Sequence, residues 1–108
     1  MYLWEGYSLY KLGRLEDAEI SFTKAMDLDP IKSEPYIALG TLYLRREEYD
    51  RSIEAFHTAV ALDPDNVKAQ IALADAYYTR GINEEDKSAL MLASVAFTDA
   101  LKIDPDIF

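Results

Sequence analysis

The chain has no cysteine, which removes disulfides, thiolate nucleophiles and cysteine-ligated zinc together and fits a reducing compartment. Basic residues are scarce: 11 Lys and Arg stand against 20 Asp and Glu, a net charge of -9 over 108 residues. Nucleic-acid binding needs a basic footprint to displace counterions, so the balance argues against it, and against attraction to anionic lipid. Long apolar runs are missing as well, and nothing approaches the roughly 18 residues that a bilayer span requires. The opening Met1-Tyr2-Leu3-Trp4-Glu5 has no basic stretch leading into an apolar core. No secretory signal is read there, and the expected compartment is the cytoplasm.

Reactive constellations are equally sparse. The single histidine, His57, follows Phe56 on an amphipathic segment and is expected to face solvent. Glu47-Glu48, Glu84-Glu85-Asp86 and Asp104 with Asp106 pair carboxylates at turns and helix ends. Capping and solvation explain them better than acid–base work, which needs a cleft with opposed pKa values. Asp63-Pro64-Asp65-Asn66 lacks the glycine and distal glutamate of a calcium loop. There is no glycine-rich phosphate loop. No catalytic residue, metal site or cofactor is expected.

What is present is repetition. Three Asp-Pro steps, Asp29-Pro30, Asp63-Pro64 and Asp104-Pro105, each follow an aliphatic residue. The first two prolines lie 34 residues apart and the last two 41 apart. The same register carries Phe22, Phe56 and Phe97, then Ala25, Ala59 and Ala100, and farther back Ala18, Ser52 and Ala93. Upstream it carries Gly6, Gly40 and Ala74, followed by Leu9, Tyr43 and Tyr77. Small and large residues thus alternate at helical spacing, which predicts paired helices in close approach. Each proline stops a second helix, because the residue before it is pushed out of helical space. Gly13 and Gly81 are read as turns inside the hairpins, and Ser33, Asp50 and Asn66 as N-caps.

This pattern resembles the tetratricopeptide repeat. The second repeat carries it best, through Tyr36, Leu39, Gly40, Tyr43, Ser52, Phe56, Ala59 and Pro64. The first departs from the family at Glu5 and the third at Gln70. The resemblance implies an all-α solenoid of antiparallel helix-turn-helix hairpins in a right-handed superhelical stack. As one domain, the chain divides into repeats at 1–32, 33–66 and 67–107. No polar cap closes either end, so a piece of a longer array is expected.

The third repeat holds seven extra residues near 81–92. Seven residues drift only about 20° from two full turns, so they can lengthen a helix without rotating its buried face. Asn83 as N-cap, with Glu84, Glu85 and Asp86 at the positive helix end, predicts one long last helix from Glu84 to Ile103.

The resemblance further implies that the first helix of each hairpin lines a concave groove. Projected onto this sequence, the groove residues are Leu3, Tyr7, Tyr10 and Lys11; then Glu34, Ile37, Ala38, Thr41, Leu44 and Arg45; then Lys68, Ile71, Ala72, Asp75, Tyr78 and Thr79. Lys11, Arg45, Arg46 and Arg80 form a basic ridge at the ends of first helices. They are read either as a site for a partner's acidic segment or as cations that suit helix C-termini. The family's clamp for a chaperone's terminal carboxylates maps to Leu3, Tyr7, Ala38, Lys68 and Ala72, of which only Lys68 has the right chemistry. The expected function is a protein-interaction scaffold binding a peptide or helix of another protein, without nucleic acid or membrane. The alternatives are a substrate-presenting segment of an enzyme whose catalytic domain lies elsewhere, and weak self-association through the uncapped ends.

Overall fold

The computed structural model describes residues 2–106. Six helices run in order: α1 Tyr2–Lys11, α2 Leu15–Leu28, α3 Glu34–Arg45, α4 Tyr49–Leu62, α5 Val67–Asn83 and α6 Lys87–Ile103. They pair as three hairpins, and each hairpin joins the next through its second helix, α2 on α3 and α4 on α5. The first helices also touch, α1 with α3 and α3 with α5. None of the described helices is long and apolar enough to cross a membrane. Ile107, the last residue of the expected third repeat, lies outside the described residues.

The small-and-large register builds the core. Phe22 and Phe56 are buried to within 1% exposure, and Ala18 and Ala59 are fully covered. Gly6 and Gly40 let these rings approach the backbone. A Cβ on either would sit 2.5 Å from a phenylalanine ring carbon. The buried hydroxyl of Ser52 donates to the Gly40 carbonyl at 2.8 Å, locking α4 onto α3.

The turns inside the hairpins share one geometry. Gly13, Glu47 and Glu85 each adopt positive φ (81°, 63° and 52°). The next amide closes a wide ring onto the end of the first helix: Arg14 to Leu9, Glu48 to Tyr43 and Asp86 to Gly81, each at 2.9 Å. Two of these left-handed positions hold Glu, which costs about 1 kcal/mol where glycine would cost little.

Matching this turn across hairpins corrects the reading of the insertion. The extra residues do not form one long last helix from Glu84. They extend α5 through Asn83 and start α6 at Lys87, so each helix reaches 17 residues. Extending both keeps the antiparallel pair matched; α6 lengthened alone would have carried Ala89 past any partner. Gly81 is therefore no turn residue. It lies buried inside α5, where a Cβ would meet Leu90 Cγ at 2.6 Å. Asn83 ends α5, and the N-cap of α6 is Asp86, whose side chain accepts from the Ser88 and Ala89 amides. Among the other expected caps, Asn66 accepts from the Ala69 amide, Ser33 holds the cap position without a side-chain bond, and Asp50 lies inside α4 after Glu48.

Candidate functional site

The face shared by α1, α3 and α5 carries the predicted groove residues. Tyr7, Tyr10, Ile37, Thr41 and Lys68 come together around one hollow of about 190 Å³, with Ala38 beside them and Phe22 as floor. The aromatic wall is braced from behind. Tyr7 meets Phe22 edge-on, with ring centroids 5.4 Å apart. The Arg45 guanidinium lies 4.9 Å over the Tyr10 ring and donates to the Tyr10 carbonyl at 3.0 Å. Burial, with Glu34 nearby, pushes the Tyr7 hydroxyl above its ordinary pKa, so it stays protonated and able to donate. Thr41 is spent on its own helix, donating to the Ile37 carbonyl at 2.9 Å. Lys68 is exposed and has no ion pair among the described residues, which leaves one free cation at the rim.

The remaining predicted residues lie apart from this hollow. Leu44 is half-buried against the core of the second and third hairpins. Ile71 is half-buried farther along α5, while Asp75 and Tyr78 lie exposed there. Neighbouring atoms withdraw enough water from Asp75 to push its carboxyl above the ordinary aspartate value. Lys11 stands exposed at the end of α1.

The basic ridge resolves into separate internal contacts. Arg46 turns inward to Glu19 at 2.8 Å, and Arg80 reaches Asp50 at 3.0 Å and Glu84 at 3.2 Å. With Arg45 on Tyr10, three of its four cations serve packing and helix ends. His57, expected to be a solitary surface residue, is exposed but bonds the Tyr77 hydroxyl at 2.5 Å and so ties α4 to α5. Among the described residues no group of three or more His, Cys, Asp or Glu could hold a metal ion.

Sequence reasoning missed Phe22 as a floor, because its register position marks it as hairpin core. A wider hollow of about 530 Å³ lies where the ends of α1, α2 and α3 meet, lined by the projected groove residues Leu3 and Glu34 together with Trp4, Leu28 and Pro35 among others. Its exposed walls Trp4 and Leu28 were not among the projected groove residues.

Comparison with known proteins agrees with this architecture. Two family models, both described as tetratricopeptide repeat, match residues 37–105 and 1–32. Tetratricopeptide repeat protein 14 of Mus musculus is 28% identical over 92% of this chain and 13% of its own length. The chloroplastic tetratricopeptide repeat domain-containing protein PYG7 of Arabidopsis thaliana is 41% identical over 66% of this chain and 21% of its own length. The chain thus spans only a small part of these relatives. Among solved structures, a tetratricopeptide protein of Thermus thermophilus, TTC0263, superposes with TM-score 0.85 at 27% identity, covering 96% of this chain and 56% of that one. The first tetratricopeptide domain of Spaghetti (RPAP3), solved with an HSP90 peptide, superposes with TM-score 0.84 at 23% identity, covering 99% and 79%. With hairpins, register and turn geometry agreeing, the chain belongs to the tetratricopeptide repeat family.

Proposed function

We propose that the chain is a protein-interaction scaffold whose groove takes a short segment of another protein. One observation carries this reading: six of the projected groove residues line one apolar hollow, with a single unpaired amine, Lys68, at its rim. Such a site gives contact area from its aromatic and aliphatic walls and orientation from one charge. A segment with an apolar side chain and a neighbouring acid suits it.

The similar Spaghetti domain holds an HSP90 peptide. This chain is not proposed for that ligand. At the clamp positions Leu3, Tyr7, Ala38 and Ala72 offer no cation, so paired carboxylates would lose their charge-assisted bonds. The test is capture of partners from cells by the protein, repeated with Thr41→Trp and Lys68→Glu. Both positions are exposed, so the fold should tolerate the changes, whereas Tyr7 and Arg45 also brace the wall. We expect both variants to lose the same partner with unchanged helicity. Retention of every partner by the Thr41→Trp protein would place binding elsewhere.

A further inference from the structure

We infer that Asp75 and Tyr78 on α5 form a second subsite of the groove, which takes an arginine of the bound segment. The inference rests on the groove reading above and names the partner's chemistry: an acid against Lys68 and an arginine roughly three residues away from it.

The two charges of α5 share one face. Asp75 follows Lys68 by two helical turns, about 10 Å along the axis, and the half-buried Ile71 lies between them. Tyr78 stands one further turn along, so the carboxylate and the ring are neighbours on that face. The Tyr78 side chain is 50% exposed. Nothing inside the fold claims the Asp75 carboxylate. Its backbone carbonyl accepts from the Thr79 hydroxyl at 2.8 Å, but its side chain has no hydrogen bond or ion pair among the described residues. Although exposed, it loses water to neighbouring atoms without gaining a partner. Desolvation without compensation disfavours a charge, and a group left so on a groove wall marks a place for an incoming one. The arginines at the ends of α3 and α5 are committed elsewhere: Arg45 lies on Tyr10, and Arg80 pairs with Asp50 and Glu84.

Arginine suits this pair better than lysine. A planar guanidinium bonds a carboxylate and covers a ring at once, whereas an ammonium is a point charge. The molecule already uses guanidinium on tyrosine twice, with Arg45 over Tyr10 and Arg51 over Tyr43. The net charge of -9 favours a cation here and leaves Lys68 to receive the segment's acid. An extended chain advances about 3.3 Å per residue, so it spans the distance between the two subsites in roughly three residues.

Synthetic peptides of about eight residues, blocked at both ends, test this by fluorescence anisotropy. Each holds a glutamate beside a leucine, with arginine or neutral citrulline placed roughly two to five residues from the glutamate. We expect tightest binding at a spacing of about three, and a loss of about tenfold when citrulline replaces arginine. Asp75→Asn should cost the same factor against the arginine peptide and nothing against the citrulline one. Because no partner inside the fold is lost, Asp75→Asn should leave the unfolding midpoint unchanged or raised. Thr41→Trp, which fills the hollow, should remove all binding. Binding that is sensitive to Thr41→Trp but indifferent to citrulline or to Asp75→Asn overturns this inference and spares the groove reading. A lower unfolding midpoint for Asp75→Asn places the carboxylate's partner inside the fold and overturns it too. If no peptide binds, the inference falls, and capture from cells decides the groove reading by itself. Binding that Thr41→Trp leaves intact overturns both.

Discussion

Gly40 shows how one missing atom shapes a hairpin. Its Cβ would fall 2.5 Å from the Phe56 ring, which is itself buried in the core and has no room to move. Alanine favours a helix by about 1 kcal/mol over glycine. Overpacking costs more, so Gly40→Ala should lose about 2 kcal/mol of stability, read as a lower denaturant midpoint. The sequence made this contact legible, because Gly40 and Phe56 repeat with Gly6 and Phe22 at a fixed spacing. Glu19 was not legible, since its partners Arg46 and Tyr43 lie 27 and 24 residues away with no periodic signal. Burial alone would raise the Glu19 pKa, but hydrogen bonds from Arg46 and Tyr43 outweigh it and hold the carboxyl below its ordinary 4.5. A lowered folded-state pKa means stability that is present above the ordinary value and lost as pH falls through the folded one. Acid titration of unfolding should show this loss in the native protein. Glu19→Gln should be less stable near neutral pH and lack that part of the acid dependence.

At the scale of the element, the insertion teaches where residue counting ends. The count of seven was visible, because Pro64 and Pro105 are spaced wider than Pro30 and Pro64. Its division between two helices was not. Gly81 read as a breaker because glycine commonly ends helices, yet here it is kept for a close approach by Leu90. The true turn sits on Glu85, a residue with no turn signature. Asp86 then starts α6 by accepting from the Ser88 and Ala89 amides. Asp86→Ala should cost about 1 kcal/mol, the usual worth of such a cap. Hydrogen exchange localises the effect: Leu90 to Leu92 should be protected in the native protein and exchange faster in the variant. Fast exchange of these amides in the native protein would mean that α6 begins later than Lys87.

At the scale of the molecule, the stack is a chain of neighbours. The first hairpin reaches the second through α2 on α3, and the second reaches the third through α4 on α5, while the first and third share no helix contact among the described residues. Repeat proteins of this kind behave as coupled units whose stability is the sum of hairpin and seam contributions. The groove residues follow the same logic: their register projected them onto one face, but which converge was decided by packing between hairpins, which spacing alone does not give. Leu73 tests the coupling. It lies 5% exposed on α5 in one cluster with Ile53, Phe56 and Ala93, so it belongs to the seam and to the third hairpin together. Leu73→Ala should cost about 3 kcal/mol through lost burial and the cavity left behind. Because the first hairpin packs only on the second, the loss should fall unevenly. Native-state hydrogen exchange should show α5 and α6 opening at lower free energy while Ala18 and Phe22 keep their protection. A uniform drop across all six helices would mean that the three hairpins unfold as a single cooperative unit.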